Sequence, residues 1–287
     1  AATLTALVLV MTGALLLSLL VKRLNPDPPL WRVIAVSYGL RVILTFALFS
    51  ISFWHLPVVR AFQSGEGFWV FGLDSQTYHL YGAGIAEAWE KGVELPDPQL
   101  GIAYFFVVGL LYKLFGPHPL YPALLNAWLV SLTAVLGYLI GRRLFRHKAG
   151  VLSAVLIGFW PSSLLWSTQL LKDSLAWFLC MSTLWLMLVV IPHRDERRPI
   201  ETKRWMGWCA ILWGVVSALT CLRTYMGSLV SMAAMSVFVP AAVSASLHKR
   251  GRDSLRYLSL VFMVVSSVLI TRTWDLFHWF SPRHPDI

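Results

Sequence analysis

The residues able to do chemistry lie in three short stretches of an otherwise apolar chain. The first is Phe68-Trp69-Val70-Phe71-Gly72-Leu73-Asp74-Ser75-Gln76-Thr77-Tyr78-His79, which opens the longest polar interval and runs on to Pro96-Asp97-Pro98-Gln99. The second is Leu171-Lys172-Asp173-Ser174, an adjacent cation and anion between two apolar runs; the third is Leu222-Arg223-Thr224-Tyr225. A carboxylate can take the proton of an acceptor hydroxyl. Lys and Arg can hold a phosphate or diphosphate and stabilise the charge that grows as it leaves. A lipid-phosphate substrate needs both groups at membrane level. Each residue also has a plainer reading. Asp74 can cap the helix that follows it, Lys172 can snorkel, and Asp173 can cap the next helix. Arg223 suits an interface anchor, Tyr78 and Trp89 suit core or membrane-facing aromatics, and a lone histidine such as His79 is seldom a metal ligand. Arg41 lies inside a long apolar run, a depth that flags function by default, but the sequence assigns it no role.

The elements that must hold these stretches are membrane helices. Of 287 residues, 57% are hydrophobic and only 13% charged, with mean hydropathy +0.66. Soluble domains carry about a quarter charged residues and lack repeated apolar runs of about 18 or more. The fold class is therefore an all-α polytopic membrane protein of about eight transmembrane helices, expected at 3–21, 31–57, 119–141, 149–171, 173–192, 205–222, 226–246 and 255–272. The first is read as a helix and not a signal peptide. Aromatics make up 14% of the chain and include 14 Trp, which suits a large surface at headgroup level. Cys180, Cys209 and Cys221 fall within apolar runs, at spacings that suit neither a disulfide nor a metal, and read as small hydrophobes.

The net charge of +10 would suggest nucleic acid until it is mapped. Sixteen of the 24 basic residues fall in four clusters between apolar runs: Lys22, Arg23 and Arg32; Arg142, Arg143, Arg146 and Lys148; Arg194, Arg197, Arg198, Lys203 and Arg204; Lys249, Arg250, Arg252 and Arg256. That is the positive-inside pattern, and it reads these loops as cytoplasmic. No nucleic-acid partner is expected; the lipid bilayer is. The segments 58–118, 172–173, 223–225 and the tail from Thr273 then lie outside, with nine of the 14 acidic residues against six basic ones. Asp74, Asp97, Lys172, Asp173 and Arg223 share that face.

Two segments of the external stretch 58–118 read as interfacial helices. Gly101 to Phe115 is apolar but only about 22 Å long as a helix, against about 30 Å of hydrocarbon. If it spanned, the three later basic clusters would move outside. It is bracketed by Pro96, Pro98, Pro117 and Pro119, and is rich in Tyr and Phe. Residues 75–91 place Tyr78, Tyr81, Ile85 and Trp89 at helical spacing, with Gly92 as the stop.

The chain resembles the GT-C superfamily of polytopic glycosyltransferases, in the bacterial branch related to protein O-mannosyltransferases and the lipid A aminoarabinose transferase. The likeness is an ordered series. Asp74 follows a long helix, with Tyr78 four residues on. A Pro-flanked aromatic helix ends Leu110-Leu111-Tyr112-Lys113-Leu114-Phe115-Gly116. Leu124-Leu125-Asn126-Ala127 comes next, then Gly141-Arg142-Arg143-Leu144-Phe145, Trp160-Pro161-Ser162, Leu171-Lys172-Asp173 and Leu222-Arg223-Thr224-Tyr225. The resemblance covers about residues 31–272, whose seven spans would equal that fold's seven-helix module. It divides the chain into an N-terminal helix and turn (1–30), the GT-C-like module with external loop 58–118 (31–272) and an external tail (273–287).

The resemblance implies an inverting transfer of a sugar from a polyprenyl-phosphate carrier to an acceptor hydroxyl on a lipid, glycan or protein. The reaction would occur at the extracytoplasmic face of a bacterial inner membrane. By position Asp74 matches the catalytic acidic residue and Asp173 the second acidic position. Lys172, Arg223 and Tyr225 would meet the carrier phosphate; Tyr78, His79 and Asp97 would meet the substrate. A divalent metal ion, if bound, would draw on Asp74, Asp97 and His79. Departures are Ser75, where relatives often carry a second acid, and Leu95-Pro96-Asp97-Pro98, where they often carry Glu-Lys-Pro. The departures and the short C-terminus favour a rival reading, a non-catalytic GT-C-like subunit packed with other membrane subunits. A transporter fits less well, since no inverted repeat is visible. A cysteine introduced at Lys113 is expected to label from outside the cell; labelling only from the cytoplasm would refute the interfacial reading of 101–115.

Overall fold

A computed structural model describes residues 2–24, 28–95, 102–191, 202–247, 255–267 and 269. The described chain is almost entirely helical: α1 (Ala2–Arg23), α2 (Pro28–Phe53), α3 (Asp74–Lys91), α4 (Ile102–Phe115), α5 (Leu120–Leu144), α6 (His147–Phe159), α7 (Pro161–Ser167), α8 (Asp173–Val190), α9 (Thr202–Leu222), α10 (Thr224–Leu247) and a short α11 (Leu255–Ser267). Six of these, α1, α2, α5, α8, α9 and α10, are long and apolar enough to cross a bilayer, and α6 with α7 makes a seventh if the bent pair is one span. The eighth expected span is described only as α11. The α4 helix falls short of a span, as its expected length implied. Between α2 and α3, strands β1 (Gln63–Gly65) and β2 (Phe68–Trp69) form a small antiparallel hairpin, which the sequence reading did not anticipate. Ser52 Oγ donates to the Phe68 carbonyl and Trp69 Nε1 to the Leu48 carbonyl, at 2.5 and 3.1 Å, tying this hairpin to α2.

The chain divides into two compact units, Ala1–Met181 and Ser182–Ile287. In the first, α1, α2, α5 and α6 pack around two apolar clusters. One joins Leu17 and Val21 of α1 to Leu30, Ile34 and Tyr38 of α2, Ala134 and Tyr138 of α5, and Ala154 of α6. The other joins Ala6 of α1 to Leu120, Tyr121 and Leu124 of α5, with Phe46 and Phe49 of α2 alongside. Thus α1 and α5 run parallel and α2 antiparallel to both. The C-termini of α1 and α5, with Lys22, Arg23, Arg142 and Arg143, therefore share one end with Arg32, Arg146 and Lys148. The C-terminus of α2 and the N-terminus of α5 mark the other end. The α5–α6 pair packs backbone to backbone: a Cβ on Gly150 would meet the Tyr138 carbonyl at 2.6 Å, the close approach small residues give membrane helices.

The run expected as one span at 149–171 is broken. The α6 and α7 axes meet at 53°, because Pro161 has no N–H for the Ile157 carbonyl that a continuous helix would direct to it. Arg41 closes this break. Its side chain is fully buried halfway along α2, about 18 Å from the helix end at 1.5 Å per residue. Nη1 donates to the Gly158 carbonyl at 2.7 Å and the Ser37 carbonyl at 3.2 Å, and also to Ser37 Oγ. Nη2 donates to the Ile157 carbonyl at 3.3 Å and Ser163 Oγ at 3.0 Å, and Nε to Ser167 Oγ at 3.0 Å. The cation therefore sits on the negative end of α6 and answers the carbonyls that the proline orphans.

In the second unit, Leu186 and Val190 of α8, Trp205, Cys209, Leu212 and Val216 of α9, Ala234 and Phe238 of α10, and Leu260 and Val264 of α11 form one cluster. The Arg256 guanidinium lies over the Trp205 ring at 5.5 Å. Of the three cysteines, Cys209 is buried as expected, but Cys221 is exposed.

Arg41→Met would leave the Gly158 and Ile157 carbonyls to the Ser37 and Ser163 hydroxyls alone and is expected to cost about 1.5–3 kcal/mol of stability, the range for hydrogen bonds to a charged group. Arg41→Lys, which keeps the charge but loses the fork, should cost less. Chemical denaturation in detergent micelles measures both; a Met variant as stable as the parent would show that the break holds without the cation.

Candidate functional site

Five of the sequence-derived candidates, Asp74, Tyr78, His79, Lys172 and Asp173, fall in the first unit, at the end opposite its basic residues. Asp74 is the first residue of α3 and not its cap: Leu73 takes the cap position, with no side-chain cap bond. The Asp74 carboxylate is exposed, makes no hydrogen bond or ion pair among the described residues, and benefits from the positive end of its helix. One turn on, Tyr78 is buried. The half-buried Lys172 places Nζ 5.8 Å from the centre of the Tyr78 ring, so its ammonium is held over an aromatic face and does not snorkel outward. Asp173, half-buried, opens α8 directly after it. The starts of α3 and α8 thus meet through the Tyr78–Lys172 contact, with a carboxylate on each helix.

The loop carrying Lys172 is longer and more buried than the near-absent turn the sequence suggested. Residues 168–171 join α7 to α8 and are all buried. Buried loop backbone needs partners, and Asn126 of α5 supplies them. Its Nδ2 donates to the Gln169 carbonyl at 2.7 Å and the Leu171 carbonyl at 2.8 Å. Sequence reading noted Asn126 only as part of a motif; a buried amide in mid-helix is the signal that could have singled it out. Ser75 faces inward. Its Oγ is buried without a hydrogen-bond partner, and a Cβ on Gly72 would stand 3.1 Å from it and 3.8 Å from Gln169 Oε1. An acid at this position would be driven into the protein, away from the exposed Asp74.

The α4 helix backs the site. A Cβ on Gly82 of α3 would meet Val108 of α4 at 2.4 Å, and this close crossing brings the aromatic face of α4 beneath α3. Tyr104 packs edge-on to Tyr78 with ring centres 4.9 Å apart, and Trp89 stacks on Phe106. His79 Nδ1 and Tyr112 Oη are 2.7 Å apart. Burial raises both the Tyr104 and Tyr112 phenols far above the ordinary tyrosine value, so both stay protonated. Burial also lowers His79, against an opposing pull from the Glu66 carboxylate. His118 is lowered by burial and then by His79. With a neutral imidazole, Tyr112 donates to Nδ1 when the ring proton is on Nε2.

The other candidates lie elsewhere. Arg223 and Tyr225 belong to the second unit, at the turn between α9 and α10, where Arg223 Nη1 donates to Tyr225 Oη at 2.6 Å. Asp97 and the tail from Thr273 lie outside the described residues. Asp74 and His79 stand about 140° apart around α3 at 100° per residue, and His79 Nδ1 is engaged by Tyr112, so these two do not converge on one ion. Among the described residues no three His, Cys, Asp or Glu side chains gather as a metal site.

No protein-family model, curated protein or solved structure matches the chain. Its fold and composition define a nearly all-α, polytopic integral membrane protein.

The folded protein holds His79 neutral where the unfolded chain would bind a proton, so stability should fall as pH drops through about 6.5. His79→Gln is expected to shrink that fall, leaving the part due to His118. Melting temperatures taken across this range check it; identical curves would show that His79 carries no part of the pH dependence.

Proposed function

We propose that the protein is an integral-membrane glycosyltransferase of GT-C type, which moves a sugar from a polyprenyl-phosphate carrier to an acceptor hydroxyl with inversion. The observation that carries the reading is the pairing of two helix starts, α3 with the exposed Asp74 and α8 with Lys172 and Asp173, through the Tyr78–Lys172 contact. In this reading Asp74 takes the acceptor proton as the hydroxyl oxygen bonds to the anomeric carbon. The bond from that carbon to the carrier phosphate breaks, and the phosphate leaves with the electron pair. Lys172 and the positive end of α8 stabilise the leaving charge. Asn126 acts as a positioning residue by fixing the loop that carries Lys172. Arg223 with Tyr225 is a further phosphate-binding candidate. The active face is extracytoplasmic, because the site and the basic residues of the first unit lie at opposite ends and the basic end is cytoplasmic by the charge rule. A bacterial inner membrane and a lipid, glycan or protein acceptor go with this reading.

One observation favours the rival, a non-catalytic subunit of a larger membrane complex. A cavity beside the buried loop before Lys172, lined by Thr45, Phe68, Thr168 and Gln169, has a volume of about 10 Å³, room for one water and not for a sugar.

Asp74→Asn is expected to slow sugar transfer from a polyprenyl-phosphate donor by about 10²–10⁴-fold, with the protein still folded. Transfer left intact would remove Asp74 as the base. Purified protein that neither binds nor turns over such donors, yet stays bound to partner subunits, would favour the rival.

A further inference from the structure

A groove of about 350 Å³ lies away from the candidate site, between α1 and α2. Val10, Ala14 and Leu17 line it from α1 at helical spacing, and Trp31, Gly39 and Ile43 are among those lining it from α2. The stretch from Trp31 to Ile43 is about 18 Å long, close to one leaflet of a hydrocarbon core of about 30 Å. Tyr38 supplies the one hydroxyl, already donated to the Val10 carbonyl at 3.1 Å. The rest of the lining is apolar apart from the Trp31 indole N–H. A Cβ on Gly39 would meet nothing within 4 Å, so the groove is open beside that residue.

Its surroundings identify the occupant. The groove lies on the half of α2 that leads to the basic end. Trp31, 43% exposed, stands at its mouth, the placing of a headgroup-level aromatic. Lys22, Arg23 and Arg32 are exposed around that mouth and form no ion pair among the described residues; the sequence from 22 to 32 holds one acid, Asp27. Exposed Arg146 and Lys148 extend the same basic end. Basic residues beside a gap between membrane helices recognise anionic lipid headgroups, and an apolar void in a bilayer is filled by a chain that packs against its walls. We infer that the α1–α2 groove binds one anionic phospholipid of the leaflet at the basic end, with an acyl chain along Gly39 and the headgroup phosphate on Lys22, Arg23 and Arg32. The inference does not depend on the proposed sugar transfer, whose residues in this unit lie at its other end.

The test uses the full chain in nanodiscs of phosphatidylcholine doped with phosphatidylglycerol, with bound lipid counted by native mass spectrometry after transfer to mild detergent. The parent is expected to keep one phosphatidylglycerol in preference to phosphatidylcholine. Gly39→Phe fills the open space beside Gly39, at a position where any side chain improves helix propensity, and should lose the retained lipid. Arg32→Gln with Lys22→Gln should keep a lipid but lose preference for the anionic one, roughly fivefold per charge removed. Retention in the bulk lipid ratio by the parent, unchanged retention in Gly39→Phe, or a second copy of the chain in place of the lipid would each overturn the assignment.

Discussion

A guanidinium buried halfway along a membrane helix must place its N–H groups on acceptors, since water is absent and charge at that depth is costly. Arg41 meets this demand with two carbonyls of α6, one carbonyl of its own helix and three serine hydroxyls. The break at Pro161 has the complementary need, carbonyls with no N–H to receive. Each alone would be a defect, and together they fix α2 against α6 and α7. Beyond the bend α7 packs against α5 as well as α6, and residues 168–171 after it are buried and not simply turned at the membrane surface. The candidate site inherits its position from that geometry.

Around the site the same logic recurs on a smaller scale. A buried loop must satisfy its backbone, and Asn126 answers two carbonyls of residues 169–171. Lys172, left without a fully solvated exit, settles over Tyr78. The phenols of Tyr104 and Tyr112 and the imidazole of His79 are kept uncharged by burial. Asp74, by contrast, is exposed. Its carboxylate stands at a helix start beside a mostly neutral aromatic floor and, unlike a cap residue, is not bonded to its own helix.

The two ends of the first unit differ in character. One carries Lys22, Arg23, Arg32, Arg142, Arg143, Arg146 and Lys148; the other carries Asp74, Lys172, Asp173 and the aromatic floor. Parallel α1 and α5 with antiparallel α2 produce this separation, since the C-termini of α1 and α5 both end in basic residues. The groove that opens toward the basic end and the site at the opposite end are therefore separate features of one bundle.

Composition and charge alone were enough to read this chain as helical and membrane-spanning, to place six of its eight expected spans within a few residues, and to show that 101–115 is too short to cross and that basic clusters alternate with the acidic interval. These properties are local: apolar run length, helical period and loop charge are written along the chain. The sequence also singled out Asp74, Tyr78, His79, Lys172 and Asp173 by residue type. It could not decide that Arg41 answers Ile157 and Gly158, more than a hundred residues away, that Asn126 holds the loop before Lys172, or that Ser75 turns inward while Asp74 faces out. It read 149–171 as one straight span because Pro161 is only one residue in an apolar run, and nothing local says which side chain will meet the carbonyls it frees. Those facts depend on pairs of distant groups whose hydrogen bonds exist only once the helices cross, and only the tertiary structure brings them within 3 Å of one another.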